Sequence, residues 1–514
     1  MDTNIIHGNI FKSIWVIIIF VKIEFNLIEQ NTTINTIMST SSSKLTMQNY
    51  QILQKSIESP TTLSHNYHTV DLVAAKLNYV STNNLLLALN IDRSGSMESR
   101  AADGYNSLQH TIHTTKNIID YLGELKEETP TLKLSIIVNA FDDRNTMIGC
   151  LEIGDKDTAD FIKKLEKLKP RGTTNISGAF EKIKENEQYC SADNKAHILM
   201  TDGQPNAGKT SAEGIVKNSP GGKQIMIGYG TGHDATLLQK MVELTNGSYH
   251  FVDSIENAGM VYGEIIHGLL YVAVKDINVS VKGAEVYDFT KNEWCKSVKF
   301  TCFASEHTQS LILRSEWNSV EPVSIKSEWV EDDTTRGRTD VFTSYNCTDD
   351  ESKESGRNVG VEKQMFRQKA MDALFRANTS RDEKATLSAE LLKLQTELKE
   401  FMVKNNLDDD AFMQKLVTDV YVAYKGIYSQ NGAAFIGSRL AAQGNQQAYD
   451  INNFDGLDDE DLADSIFGGR NESMRHSFLQ EPMTAPRLNL RQTSCYTTPT
   501  QTTVMRTCSQ QPHN

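Results

Sequence analysis

Short polar side chains follow apolar runs at three places in the chain. The run LLLALNI is followed at once by Asp92, Ser94 and Ser96, so that a carboxylate and two hydroxyls alternate in one short turn. The run AHILM is followed within two residues by Asp202, and Thr174 lies in a hydroxyl-rich loop before a predicted helix. Oxygen atoms on short side chains are the ligands that hard cations such as Mg²⁺ prefer, whereas zinc and copper favour nitrogen and sulfur. The five residues therefore predict a site for a hard divalent cation.

The elements that must position these residues form a predicted doubly wound α/β domain over residues 84–270. Apolar runs alternate there with segments of helical periodicity, which is typical of a mostly parallel sheet with helices on both faces. The predicted strands are 85–91, 133–141, 146–153, 196–200, 224–230 and 248–252, and the predicted helices include 157–168, 176–189, 235–244 and 254–270. Ligands of such sheets bind beyond the carboxyl ends of the strands, which is where the polar residues lie.

Three ordered motifs in this domain carry a family resemblance. DRSGSM, GTTN and TDGQPN resemble the metal-binding motifs of the von Willebrand factor type A (vWA) domain, and GTGHDATLLQKMVELTNGSYHFV is similar to the last helix and strand of that family. The resemblance covers roughly residues 84–270 and implies a Rossmann-like fold with a complete metal-ion-dependent adhesion site.

The resemblance implies a role for each predicted ligand. Ser94 and Ser96 would bind Mg²⁺ or Mn²⁺ directly, and Thr174 directly or through water, with Thr173 as the alternative threonine. Asp92 and Asp202 would act partly through water. The metal would keep one position open for an Asp or Glu of a protein partner. The sequence places no base or nucleophile beside the site, so we expect a binding module rather than an enzyme.

A second motif overlaps the metal-binding residues. Residues 203–210 match the P-loop pattern GxxxxGK[ST] and follow a buried strand, which on its own indicates nucleotide hydrolysis. The match follows a late strand, however, and neither an acidic Walker-B-like strand nor an NKxD motif comes after it. We therefore expect Lys209 to be an ordinary exposed lysine, with a P-loop NTPase as the alternative.

The remaining chain divides by its periodicity. Residues 48–83 read as a lead-in strand region, and the period of two over 271–350 predicts a small antiparallel β-sandwich. Residues 358–430 predict helices, whose leucine stripe is too short for a coiled coil and favours a hairpin packed on its own domain. Residues 431–514 lack periodicity and read as a disordered tail. The acidic segment 454–467 within the tail is predicted to be a solvating linker, with partner binding as the alternative.

Composition limits the classes of function. The chain of 514 residues has 52 Lys and Arg against 66 Asp and Glu, a net charge of -14, so we expect no binding to nucleic acid. Its seven cysteines form no CxxC pair, which argues against both a disulfide framework and a thiolate zinc site.

The first 47 residues read as an extension with a short apolar run. Residues 14–21 are too few to span a bilayer, and their flanks lack the cleavage site of a signal peptide. A start at Met38 or Met47 would remove the run. We therefore expect a cytoplasmic protein, with a secreted adhesion protein, or a membrane-anchored channel-associated one held through residues 14–28, as the alternative.

Overall fold

A computed structural model gives the architecture of the chain. The residues it describes are 43–53, 65–100, 104–187, 192–230, 232–252, 258–316, 321–342, 358–380, 383–428, 432–448 and 494–510. The apolar run 14–21, Met38 and the acidic segment 454–467 lie outside the described residues. Within the described part of the chain, no helix combines the length and apolar character needed to cross a membrane.

The described residues form strands and helices in three regions. The strands are β1 Leu45–Leu53, β2 His65–Ala74, β3 Asn84–Asp92, β4 Lys133–Phe141, β5 Asn145–Glu152, β6 Asn194–Thr201, β7 Lys223–Tyr229, β8 Ser248–Val252, β9 Val272–Lys282, β10 Glu285–Asp288, β11 Glu293–Cys295, β12 Ser297–Ala304, β13 Thr308–Glu316, β14 Val323–Glu331 and β15 Thr334–Phe342. The helices are α1 Ser107–Glu128, α2 Thr158–Glu166, α3 Ile176–Asn186, α4 Ala212–Val216, α5 Ala235–Thr245, α6 Ala258–Leu270, α7 Val359–Thr379, α8 Lys384–Lys404, α9 Ala411–Gly426, α10 Gly432–Asn445 and α11 Pro499–Cys508.

The predicted doubly wound domain is confirmed. Its sheet has the order β5-β4-β3-β6-β7-β8, in which only the edge strand β5 runs antiparallel to its neighbour. Successive side chains of β3 enter different cores: Leu87 packs in the large cluster that includes α1 and α6, whereas Leu86 and Ala88 pack with Ile183 of α3. The strand is an uninterrupted apolar run because helices cover both faces.

The sandwich contains strands from both sides of the vWA-like domain in the sequence. One sheet has the order β1-β2-β13-β10-β11 and the other β12-β9-β14-β15. The expected lead-in region 48–83 is therefore corrected, because β1 and β2 belong to the sandwich: β2 pairs along its length with β13. No local pattern reveals this pairing, since the two strands are far apart in the chain.

Helices α7 to α10 pack together beside the two other regions. The predicted leucine stripe is buried within this group, where Leu391 and Leu398 of α8 share a core with Leu416 and Val420 of α9. The leucine side chains of α8 therefore pack against α9 of the same chain, as predicted for a helical hairpin.

The predicted disordered tail is corrected for two segments, because residues 432–445 and 499–508 are helical, whereas residues 449–493 lie outside the described residues. Residues 432–445 are rich in Ala and Gly, and residues 499–508 are rich in Thr, so neither segment has a long apolar pattern. Tertiary packing stabilises them instead. Phe435 of α10 packs edge-on against Phe251 of β8, and Met505 of α11 is fully buried in the core of the α/β domain. Intrinsic propensity is a weak guide when such packing is available.

Candidate metal centre

Asp92 ends the central strand β3 and is fully buried. Its Oδ1 atom accepts a 2.7 Å hydrogen bond from the backbone N–H of Ser94, and its Oδ2 atom accepts a 2.6 Å bond from the hydroxyl of Thr201. Thr201 ends the neighbouring parallel strand β6. Both carboxylate oxygens are therefore fixed in orientation at the carboxyl edge of the sheet.

Ser94, Ser96 and Asp202 come together beside this carboxylate. The hydroxyl oxygens of Ser94 and Ser96 are 3.0 Å apart, and the Ser96 hydroxyl donates a 2.6 Å hydrogen bond to Oδ1 of Asp202. The residues meet because β3 and β6 are adjacent and parallel, so the turns that follow them leave the same edge of the sheet. The structure thus brings together the four residues predicted on these two turns.

Thr174 reaches the same space from a third loop. A Cβ atom placed on Gly203 would lie 3.2 Å from Oγ1 of Thr174 and 3.7 Å from Oγ of Ser96, so both hydroxyls border one small volume. Asn206 fixes the loop, because its Oδ1 accepts a 2.8 Å bond from Thr174 N–H and its own N–H donates a 3.1 Å bond to the Thr174 carbonyl. Thr174 is buried whereas Thr173 is exposed, which favours Thr174 as the ligand.

Backbone contacts and one buried acid hold the threonine loop against the serine turn. Gly95 N–H donates to the carbonyl of Gly172 at 3.2 Å, and Arg171 N–H donates to the carbonyl of Arg93 at 2.8 Å. The Nε atom of Arg171 donates a 2.6 Å bond to Oδ2 of Asp142, and Nε of Arg93 lies 2.9 Å from the same oxygen as an ion pair without hydrogen-bond alignment. Asp142 therefore links both loops.

Burial disfavours the charged form of both carboxylates at the site. It raises the pKa of Asp92 to about 6, although hydrogen bonds from Thr201 and Ser94 oppose the shift. Burial likewise raises the pKa of Asp202, although the nearby hydroxyls of Ser96 and Tyr229 oppose the shift. Two acids held together in this way favour binding of a cation.

The donor set fits a hard cation. Among the described residues, no lysine or arginine is a main cause of the pKa shift of either carboxylate, and no three His, Cys, Asp or Glu side chains are clustered as a metal site of their own. The Ser96 hydroxyl gives its proton to Asp202 and keeps lone pairs for another contact. Carboxylate and hydroxyl oxygens that converge without a cationic side chain match the ligands of Mg²⁺ or Mn²⁺.

Three residues that support the site were not predicted from the sequence. Thr201 fixes Asp92, Asn206 fixes Thr174, and Tyr229 contacts Asp202. One signal was present for Thr201, because it is a hydroxyl residue at the end of an otherwise apolar strand. Nothing local distinguishes Tyr229, since β7 reaches Asp202 only through the sheet order.

Residues 203–210, which match the P-loop pattern, hold Thr174 in place and do not form a phosphate-binding loop. The N–H groups of Asn206 and Ala207 donate to the carbonyl of Thr174, and Lys209 N–H donates a 2.9 Å bond to the hydroxyl of Ser177. The ammonium of Lys209 lies 3.8 Å from a carboxylate oxygen of Glu181. A phosphate-binding loop keeps its backbone N–H groups for phosphate, whereas these three N–H groups are bonded within the protein.

One family profile matches part of the chain, and several solved structures are similar to it at low identity. The family profile of the von Willebrand factor type A domain matches residues 87–263. A von Willebrand factor type A protein from Catenulispora acidiphila is similar at 13% identity over 79% of this chain and 98% of that one, with a TM-score of 0.47. The ArnB paralog VWA2 from Sulfolobus acidocaldarius is similar at 12% identity over 79% and 99%, with a TM-score of 0.45.

A third similar structure covers less of this chain. The pilus adhesin SpaC from Lactobacillus rhamnosus GG is similar at 12% identity over 60% of this chain and 49% of that one, with a TM-score of 0.31. A comparison with curated proteins gave no match. The profile match coincides with the six-stranded sheet and with the loops that bear Asp92, Thr174 and Asp202. Residues 87–263 are therefore a von Willebrand factor type A domain with the α/β fold of that family.

Proposed function

We propose that the vWA domain is a metal-dependent protein-binding module. A divalent cation, Mg²⁺ or Mn²⁺, would be held by oxygen atoms of Asp92, Ser94, Ser96, Thr174 and Asp202. A carboxylate from an Asp or Glu of a protein partner would complete its coordination. The cation supplies a positive charge at a surface opening, and the chain supplies the orientation of the ligands around it.

The convergence of the Ser94, Ser96 and Asp202 side chains beside Asp92 carries this proposal. Hydrogen bonds among these side chains fix their oxygens before a ligand arrives, which lowers the entropy lost on binding. The hydroxyls are uncharged, so a cation at this site would keep much of its attraction for an external carboxylate. Domains of this family are generally protein-interaction modules, which favours binding over catalysis.

The other predictions have less support. Neither the family comparison nor the internal hydrogen bonds of residues 203–210 favour a P-loop NTPase. A cytoplasmic location and the lack of nucleic-acid binding stay predictions from the sequence.

Metal titration tests the proposal first. Protein stripped with EDTA is titrated with MgCl₂ or MnCl₂ in a calorimeter, and we expect saturable binding that Ser96→Ala weakens about 10-fold or more. Ser99→Ala is the matched control, because Ser99 lies on the same turn but outside the proposed ligand set. Equal metal affinity in the two variants would contradict the assigned ligands.

Partner capture tests the second half of the proposal. Wild-type protein is used as bait with Mg²⁺, with EDTA and as the Asp92→Ala variant. We expect a partner to be retained only by the wild type with Mg²⁺. Neutralising the Asp or Glu of that partner should abolish its capture. A partner retained under all three conditions would remove the metal from the interaction.

A further inference from the structure

The last helix of the vWA domain, α6, is in backbone contact with the C-terminal helix α11. A Cβ atom on Gly259 would lie 2.4 Å from the carbonyl oxygen of Cys508, and one on Gly263 would lie 2.4 Å from the Cα atom of Met505. Side chains are not tolerated at such distances. The two glycines, one helical turn apart, therefore let the two helices pack more closely than any other residue type would allow.

Helix α1 supplies the polar part of the same surface. The side-chain amide of Asn117 donates to the carbonyls of Cys508 at 3.1 Å and Gln510 at 2.8 Å, and Nε2 of His113 lies 2.5 Å from the Gln510 carbonyl. The last carbonyls of a helix have no partner within the helix. Side chains of the vWA domain therefore satisfy the C-terminal end of α11.

The apolar face of α11 is buried in the vWA core. Val504, Met505 and Cys508 are each exposed by 2% or less and belong to the same cluster as the side chains of α1 and α6. At the other end of the helix, the Thr500 hydroxyl donates a 2.8 Å bond to Glu306, which lies beyond β12 of the sandwich. Three kinds of contact therefore hold α11: close backbone packing on α6, hydrogen bonds from α1 to its last carbonyls, and burial of three apolar side chains.

The chain connection of α11 resembles that of a tethered peptide. The helix has ten residues, and an isolated helix of this length is marginal in water, so its conformation depends on the surface that it contacts. It joins α10 through residues 449–493, and the two ends of that segment meet where Ser494 N–H donates a 2.7 Å bond to the carbonyl of Ala448. Release of α11 would therefore not break the chain that joins the vWA domain, the sandwich and helices α7 to α10.

We propose that the face formed by α1 and α6 is a helix-binding surface, and that residues 494–510 of the same chain are its reversibly bound ligand. This surface uses none of the proposed metal ligands, so its function is separate from metal binding. While bound, the segment covers Gly259 and Gly263 and encloses the Cys508 thiol. When it is released, the same face becomes available for binding.

Thiol labelling in the intact chain measures release directly. Burial raises the pKa of the Cys508 thiol to about 12, so the docked thiol is protected from alkylation by iodoacetamide. Trypsin cleavage after Arg506 places Cys508 in a peptide with no other cysteine, which mass spectrometry can follow. Exposed Cys150 gives the reference rate for an accessible thiol.

A matched pair of glycine substitutions isolates the surface. Gly263→Ala places a methyl group against Met505, whereas Gly268→Ala lies on the same helix with no atom within 4 Å of the added carbon. We expect Gly263→Ala to label Cys508 about tenfold faster than wild type, and Gly268→Ala to label it at the wild-type rate. Equal rates in both variants would overturn the proposed surface.

The denaturant dependence of labelling tests reversibility. If α11 is released locally, Cys508 of the wild type is labelled at urea concentrations at which circular dichroism still reports a folded protein. Labelling of Cys508 only together with global unfolding would overturn reversible binding, because the helix would then be a permanent part of the core.

A nicked protein provides a second test that does not depend on a core substitution. A specific protease site is inserted within residues 449–493, and the folded full chain is cleaved. We expect the C-terminal fragment to co-elute with the body and to be displaced by excess synthetic peptide 494–510. A Met505→Asp peptide should not displace it, whereas a Thr503→Asp peptide should, because Met505 is buried and Thr503 is exposed. A fragment that no peptide displaces would contradict the proposal.

Discussion

The hydroxyl of Thr201 donates a 2.6 Å hydrogen bond to Oδ2 of Asp92 across the carboxyl ends of β6 and β3. The other oxygen of Asp92 accepts from the backbone of Ser94, so the turn that carries both serines and the strand that precedes Asp202 meet at one carboxylate. The position of Asp92 therefore depends on a residue that is not itself a proposed ligand.

Thr201→Val tests this dependence. Valine has nearly the same shape but cannot donate, so we expect a loss of about 1–3 kcal/mol in the free energy of unfolding and a 10-fold or larger loss in Mg²⁺ affinity. Urea denaturation and calorimetric titration measure the two effects. Thr201→Ser keeps the hydroxyl and should retain most of the metal affinity. Equal metal affinity in the valine and serine variants would show that the hydrogen bond does not position Asp92.

Asn206→Ala removes the side chain that fixes the Thr174 loop. We expect a loss of about 1 kcal/mol in stability, and weaker Mg²⁺ binding because Thr174 is no longer fixed. Asn218→Ala is a suitable control, since Asn218 makes an exposed contact with Glu181 away from the site. Metal titrations of the two variants that give the same affinity would contradict the role of Asn206.

Lys209→Ala distinguishes the two interpretations of residues 203–210. Because the N–H groups of Asn206, Ala207 and Lys209 are already bonded within the protein, we expect neither the wild type nor the variant to bind ATP or GTP, and both to bind Mg²⁺ equally. Fluorescent nucleotide analogues measure the first property. Nucleotide binding that is present in the wild type and lost in the variant would support the P-loop alternative.

Acid destabilisation of the sandwich is predicted from His68. Its ring nitrogens lie 2.7 Å from the Tyr50 hydroxyl and 2.8 Å from the Ser315 hydroxyl, and burial lowers its pKa to about 4. The unfolded chain binds a proton below about pH 6.5 while the folded chain does not, so stability is full above that pH. It falls by up to about 1.4 kcal/mol per pH unit between about pH 6.5 and 4.

Urea denaturation across this pH range measures the effect. His68→Gln should lose less stability than wild type on acidification, whereas the two proteins should change in parallel above pH 6.5. Parallel curves at every pH would exclude His68 as a source of the acid sensitivity.

The meeting of Asp92, Ser94, Ser96 and Asp202 at one edge of the sheet could be predicted because each of these segments is local. A buried strand, a turn residue and a short polar motif lie together in the sequence, and parallel strands bring the ends of such segments to one edge. Thr174 is buried and Thr173 is exposed, so the choice between these two candidate ligands depends on burial, which the sequence does not give. The missed residue Tyr229 reaches the site through the order of the strands, which periodicity does not give.

The sandwich boundary and the C-terminal helix could not be predicted for a related reason. Strand β2 pairs with β1 and with β13, and β13 does not appear in the sequence until after the vWA domain. Helix α11 has only ten residues, and it packs in the vWA core where Gly259 and Gly263 allow close approach of its backbone. Both features depend on contacts between segments that are distant in the chain.

The placement of the vWA domain between β2 and β9 has a consequence for biosynthesis. Its two ends are adjacent, since Ser81 N–H and the Thr82 hydroxyl donate to the carbonyls of Leu270 and Leu269. His68 of β2 and Ser315 of β13 are in hydrogen-bond contact although 247 positions separate them. During synthesis the whole vWA domain therefore leaves the ribosome before β13 is made and can pair with β2. Domains generally fold as units during synthesis. The inserted domain is expected to fold first on the ribosome, and the sandwich to close around its two ends afterwards.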